Sequence, residues 1–277
     1  MIYEKLHLKE YFDFLGENGK DATLEIYLPD NLAEMDWRDK KRPCMIVCPG
    51  GGYAYCSQRE AEPVALEFLP EGFNCFVLTY STKPHSFPSQ LLEVAAVMEL
   101  IYKNADKWHC DTEKIAILGF SAGGHLAAFY SNMYACKEVR KYFPESKKVN
   151  ASVLCYPVIT GDFAYTHHDS IINVSGHEPS ESDKDFFSCE KRVSEDTPPA
   201  FLWHTSADAS VNVNNSLLYA QALSKYKIPF EMHIYPFGRH GLSTANTQTN
   251  TPLSKQDART QDWIASAKEW LKVTFDL

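Results

Sequence analysis

No uninterrupted apolar run in this 277-residue chain reaches the roughly 18 residues that a membrane helix requires, so a spanning segment is not expected. Basic residues are scarce as well: 27 Lys and Arg stand against 36 Asp and Glu, a net charge of −9. Phosphate binding needs a basic footprint and none is clustered here, which argues against a nucleic-acid partner. The opening Met1-Ile2-Tyr3-Glu4-Lys5-Leu6 lacks a basic stretch followed by an apolar one, so the chain reads as cytoplasmic. No CxxC pair occurs among the eight cysteines, and the Cys44/Cys48 spacing has no Cys or His counterpart to make a zinc pattern. Cys44, Cys48, Cys75 and Cys155 lie in or beside apolar runs, where free cysteine behaves as a small buried hydrophobe; a reducing compartment fits. Internal repeats and low-complexity segments are also missing.

What is present is an ordinary globular mix, 44% hydrophobic and 23% charged, long enough for one sizeable core. Short apolar runs alternate with helical patterns. Leu24, Ile26 and Leu28 alternate with Thr23, Glu25 and Tyr27 and predict a half-buried strand ending at Pro29, part of an antiparallel N-terminal hairpin at one sheet edge. Continuous apolar runs at 43–48, 74–80, 114–120, 151–156, 200–204 and 230–235 predict strands buried on both faces. Helices are expected at about 60–68, from Pro88 through Tyr102, at 122–134, 215–225 and 254–273, the last opened by Ser254 and Asp257 as a capping box. This alternation implies an α/β fold, a mostly parallel sheet of about eight strands wrapped by helices in one domain spanning 1–277. It breaks down at 160–199, which is polar and holds one weak helix near 182–187. A break of this length reads as an insertion over the C-terminal edge of the sheet, a lid or pocket wall.

Gly119-Phe120-Ser121-Ala122-Gly123 fits GxSxG. The motif is weak alone, but here it follows a buried strand and precedes a helix, the context of a nucleophile elbow. Otherwise Ser121 is a helix N-cap beside packing glycines. A serine hydroxyl needs a base, and the base an orienting acid, in the chain order Ser, Asp or Glu, His. Of the late histidines, His233 falls inside a strand pattern, whereas His240 lies in a glycine-flanked loop after the last strand and is the candidate base; its plain alternative is a solvated loop histidine. Asp208 follows the 200–204 strand by a short turn and is the candidate acid, with Asp162 as its rival. The N–H of Ala122 and those of Gly51 and Gly52, in Pro49-Gly50-Gly51-Gly52-Tyr53, are candidate oxyanion donors. Tyr53, Tyr55 and Tyr80 near strand tips are candidate sugar-stacking side chains, with Tyr53 and Tyr80 assigned to the pocket. His125, one turn into the elbow helix, reads as packing or support. His167-His168-Asp169 does not make a metal site, since adjacent side chains point apart.

Taken together, PGGGY, GFSAGGHLAA (119–128), TPPAFLWHTSAD (197–208) and FGRHGLS resemble the α/β-hydrolase carbohydrate acetylesterases, xylan esterase-like relatives of the hormone-sensitive-lipase esterases. The resemblance runs from about Pro43 to the C-terminus. It implies a serine carboxylesterase that removes O-acetyl groups from acetylated plant-type oligosaccharides or small esters through an acyl-enzyme, without a cofactor or metal. It also places nucleophile, acid and base on Ser121, Asp208 and His240. The chain departs from the family pattern at Pro49, where lipase relatives carry His, and at Ala207, where a second Asp is common. It departs again at Ser81, where relatives tend to have Arg, and at Glu93, where they have Asp. Fold and triad do not fix the acyl group, so a peptidase or arylformamidase is the alternative, and a non-catalytic binding protein the remote one. The substrate is expected to be a small molecule, and a homo-oligomer is compatible with the sequence.

Overall fold

The protein is described here from a computed structural model that covers residues 1–18, 22–35 and 38–277. Among the described residues there are eight strands, β1 (Ile2–His7), β2 (Thr23–Leu28), β3 (Arg42–Cys48), β4 (Asn74–Thr79), β5 (Cys110–Phe120), β6 (Ala151–Cys155), β7 (Ala200–Thr205) and β8 (Phe230–Tyr235). They form one sheet in the order β1-β2-β4-β3-β5-β6-β7-β8. β2 runs antiparallel to β1 and β4, and every pairing from β4 across to β8 is parallel. The N-terminal hairpin therefore sits at one edge, as the sequence predicts.

Among the described residues, ten α-helices accompany the sheet. They are α1 (Asp13–Asn18), α2 (Glu62–Phe68), α3 (Ser89–Lys103), α4 (Ala122–Met133), α5 (Lys137–Arg140), α6 (His168–Ser175), α7 (Glu181–Phe186), α8 (Asn214–Lys225), α9 (Lys255–Ala258) and α10 (Asp262–Phe275). Successive strand residues point to opposite faces, and the core divides accordingly. Cys44, Ile46, Ile117, Leu154 and Leu202 pack with α3, α4 and α8, while Met45, Val47, Leu118, Val153 and Trp203 pack with α2 and α10. Both faces are apolar because both are covered, which is why these strands read as unbroken hydrophobic runs. Among the described residues, no helix is long and apolar enough to cross a membrane.

Three expectations are corrected. β8 is an edge strand, with Phe230 and Ile234 exposed, so its apolar run does not mark a central position. The predicted 254–273 helix is broken: α9 is followed by a 3₁₀ turn, Arg259–Gln261, before α10 begins. Ser254 does cap α9, accepting from the Asp257 N–H at 3.0 Å. Lastly, the 160–199 segment carries two helices rather than one. α7 starts on a reciprocal capping box between Ser180 and Asp183. α6 was hidden because its only buried apolar side chains are Ile171 and Val174, too few to make a stripe. Rings of Phe186 and Phe187 fasten this segment to Phe87 and Phe129, with centroids between 5.1 and 5.9 Å apart.

Candidate active site

The turn from β5 into α4 holds Ser121 at φ 53°, ψ −118°, a conformation that non-glycine residues rarely adopt and that raises the side chain off the sheet edge. Hydrogen bonds fix it there: the Ser121 N–H donates to the Cys155 carbonyl, and the Ser121 carbonyl accepts from Val158 and His125 N–H, each at 3.0 Å. The turn tolerates no side chain at Gly123, where a Cβ would stand 2.1 Å from the Cys48 carbonyl oxygen.

His240, in the loop after β8, reaches this serine. The Ser121 O–H donates to His240 Nε2 at 2.9 Å, and His240 Nδ1–H donates to Asp208 Oδ2 at 2.6 Å. Asp208 stands just past β7, as expected, and its other oxygen accepts from the Ser210 and Val211 N–H groups at 2.8 and 2.9 Å. Burial alone would raise the Asp208 carboxyl, but hydrogen bonds from His204 and His240, with the charge on His240, outweigh it and hold the group well below the usual carboxylate range. The rival Asp162 instead accepts from the Ala164 N–H in a local turn. His233 lies in β8, bonded to Glu231 at 2.7 Å.

Gly51 and Gly52 line a cavity of about 630 Å³ together with Ser121 and His240. Gly51 has φ +128°, and a Cβ there would meet the Tyr55 carbonyl oxygen at 2.1 Å. Neither glycine N–H has a protein acceptor among the described residues. Ala122 is buried and heads α4, so its N–H has no intrahelical partner either. The inserted segment supplies a wall of the cavity through His167, Asp169, Ile172 and Asn173, and Asn173 Nδ2 donates to the Gly52 carbonyl at 2.8 Å. His167 Nδ1 pairs with Ser170 Oγ at 2.9 Å, and burial followed by the charge of His240 lowers its pKa. Among the described residues, no group of three or more His, Cys, Asp or Glu side chains could hold a metal ion.

The assignment of Tyr53 and Tyr80 to the pocket is corrected. Both are buried: the Tyr53 O–H donates to His125 Nδ1 at 2.8 Å and the Tyr80 O–H to the Pro49 carbonyl at 2.6 Å. They brace the glycine loop from behind, whereas Tyr55, 62% exposed, is the tyrosine that lines the cavity. The departures at Ser81 and Glu93 are mutually satisfied. Ser81 donates to Glu93 through its N–H at 2.7 Å and through its hydroxyl, and burial pushes the Glu93 carboxyl up to about 8.

His125 is fully buried, its Nε2–H donating to the Phe187 carbonyl at 2.8 Å, so it links the glycine loop to the inserted segment through α4. Burial lowers its pKa to about 4. Because the folded state resists protonating a group that the unfolded chain protonates near 6.5, its contribution to stability is intact above that pH and is lost as pH falls toward 4. Resistance to urea is expected to drop by up to about 3 kcal/mol over this window. His125→Gln, which keeps one donor and one acceptor, flattens the dependence; an unchanged slope contradicts the assignment.

Three further residues were not singled out from sequence. His204, fully buried on β7, donates from Nε2 to the Val211 carbonyl at 3.0 Å and lies 3.4 Å from Asp208 Oδ2, bracing the acid. Tyr156 sets its ring edge-on to His240, with centroids 4.9 Å apart. Glu60, in the 3₁₀ turn Gln58–Glu60, is a buried carboxylate at the cavity wall that burial pushes upward. The sequence predicts Glu60 as the start of a 60–68 helix; the structure instead places it in a 3₁₀ turn ahead of α2, and only the fold reveals that its carboxylate is buried.

Comparison with known proteins gives concordant matches. The BD-FAE family model matches residues 24–223. The chain is 40% identical over 230 residues to endo-1,4-beta-xylanase B of Butyrivibrio fibrisolvens, covering 80% of this chain and 36% of that protein. It is 29% identical over 232 residues to the acetylxylan esterase of Xylanibacter ruminicola, covering 82% of this chain and 45% of the relative. The chain thus spans between a third and a half of these curated relatives. The solved acetyl ester-xyloside bifunctional hydrolase from Caldicellulosiruptor lactoaceticus superposes with a TM-score of 0.82 at 35% identity, covering 98% of this chain and 96% of that one.

Proposed function

Because the chain belongs to the BD-FAE family and has the α/β-hydrolase fold, we propose that it is a serine carboxylesterase that removes O-acetyl groups from acetylated plant-type oligosaccharides or small esters. The observation that carries this reading is the unbroken chain Ser121–His240–Asp208 at the rim of an open, polar cavity. Ser121 Oγ attacks the acyl carbon as His240 Nε2 takes its proton. Asp208 fixes the His240 tautomer and stabilises the imidazolium. The N–H groups of Gly51, Gly52 and Ala122 receive the negative charge that develops on the carbonyl oxygen. Collapse of the tetrahedral adduct expels the sugar hydroxyl, which leaves with the proton from Nε2. Water then attacks the acyl-enzyme, giving its proton to His240, and acetate departs as Ser121 is restored.

The cavity favours a short acyl group on a polar alcohol. Ser57, Arg59, Lys83, Asp169 and Asn173 line it beside the reacting groups, and Ala54 and Ile172 are its aliphatic side chains. Tyr55 presents an exposed ring at the same wall, suited to stacking on a sugar. Tyr55→Ala is expected to raise KM for acetylated xylo-oligosaccharides about three- to tenfold, the loss of one ring contact, while turnover of ethyl acetate changes less. Equal losses on both substrates count against sugar stacking. We assign the whole of 1–277 to one hydrolase domain, with 160–199 as pocket wall, and a cytoplasmic setting accords with eight free cysteines.

Acetate release is the test of substrate class. The purified protein is assayed on acetylated xylo-oligosaccharides, p-nitrophenyl esters of increasing chain length, formylkynurenine and aminoacyl substrates. Preference for the acetylated sugars and short esters is expected; preference for formylkynurenine or aminoacyl substrates contradicts the reading.

A further inference from the structure

Glu60 takes no part in the reaction as written, yet its two carboxylate oxygens terminate on the two loops that bring the reacting groups together. Oε2 accepts from the Gly50 N–H at 2.8 Å. Gly50 fills the gap between this carboxylate and the elbow: a Cβ there would stand 2.7 Å from Glu60 Oε2, 2.9 Å from the Phe120 carbonyl oxygen and 3.1 Å from Ser121 Cβ. Oε1 accepts from the Tyr156 O–H at 2.5 Å, and the Tyr156 oxygen accepts in turn from the Ser243 N–H at 2.9 Å. Ser243 belongs to the loop that carries His240, and its hydroxyl donates back to the Arg59 carbonyl, closing the circuit at the residue before Glu60. Tyr156 and Ser243 both hold positive φ, 36° and 53°, conformations that persist only where the surroundings enforce them.

We propose that Glu60 is a positioning residue for the hydrolysis assigned above: it holds the Gly50–Gly52 loop and, through Tyr156 and Ser243, the His240 loop against Ser121. The inference rests on that functional reading. A buried carboxylate is costly to maintain, and simple filling of the space would be better served by an apolar side chain. The titratable and charged groups that face Glu60 are Tyr156, His240, Arg59, Cys155 and Tyr80.

The test uses Glu60→Gln and Tyr156→Phe, with rates on p-nitrophenyl acetate referred to the concentration of sites titrated by a fluorophosphonate. Glu60→Gln is nearly isosteric but cannot accept at both ends with full charge. It is expected to lower kcat per site about 10- to 100-fold, within the range of a displaced general base or oxyanion donor. KM for the same ester is expected to stay within about threefold, so that the loss lies in kcat. Tyr156→Phe keeps the carboxylate and severs the link to the His240 loop, and kcat is expected to fall about tenfold. A purely structural role would cost titratable sites and leave kcat per site in place; that result overturns the proposal. Should Glu60→Gln fail to fold, an unchanged kcat in Tyr156→Phe overturns it equally. Ser121→Ala separates the two readings: activity surviving there sinks the serine mechanism itself, whereas an inert Ser121→Ala beside a wild-type Glu60→Gln sinks only the role of Glu60.

Discussion

Ser121→Ala is expected to lower kcat on p-nitrophenyl acetate by about 10⁶, the cost usually paired with loss of such a nucleophile. The size follows from the surroundings. Ser57 and Ser210 also line the cavity, but neither hydroxyl is bonded to an imidazole. Two other serine–histidine contacts lie nearby, Ser170 with His167 at 2.9 Å and Ser216 with His204 at 2.8 Å, but both serines are fully buried and neither lines the cavity. No substitute nucleophile is therefore poised, and the residual rate is what the oxyanion donors and binding supply. Rates measured on the variant after removal of contaminating esterase check this directly.

Asp208→Asn carries the second large effect, a loss in kcat of about 10⁴ with the fold retained. The carboxylate accepts from His240 Nδ1 at 2.6 Å, so the proton must reside on Nδ1 and the lone pair on Nε2, facing Ser121. An asparagine that turns its amide nitrogen toward Nδ1 reverses this, placing the proton on the nitrogen that must act as base. Asparagine could present its oxygen instead, but the other carboxylate oxygen is bonded to the Ser210 and Val211 N–H groups, which demand an acceptor. Both sides of the side chain require acceptors, so the amide is frustrated in either orientation. A variant within tenfold of wild type in kcat would contradict this account of the tautomer.

How much of this could be read from the chain depends on how local each signal is. The six runs at 43–48, 74–80, 114–120, 151–156, 200–204 and 230–235 each coincide with a strand; in the first five burial on two faces leaves a contiguous apolar trace, whereas the last is the edge strand β8. Ser121, Asp208 and His240 could be chosen because each follows a strand end in a fixed order, and the structure brings the three within hydrogen-bond distance. Glu60 and Tyr156 could not: they meet across 96 residues, and nothing near Glu60 in sequence distinguishes a buried carboxylate from a surface one. The tyrosines fail for a related reason. Tyr53 and Tyr55 lie two residues apart in one glycine-rich turn whose Gly51, Gly52 and Tyr53 all hold positive φ, and the sequence alone does not tell that Tyr53 is buried and Tyr55 exposed. α6 escaped because it is short and buries only Ile171 and Val174 as apolar side chains, while Asp169, Ile172 and Asn173 line the cavity.

The central claim is that an alcohol on this chain is acylated and then released by water. Rapid quenching of the protein with p-nitrophenyl acetate, followed by peptide mass spectrometry, tests it most directly. The account predicts one added acetyl group on the peptide containing Ser121, absent after turnover is complete and never formed in His240→Ala. Steady turnover with acetyl on another side chain, or with no acyl-enzyme formed under conditions that trap one, would contradict it.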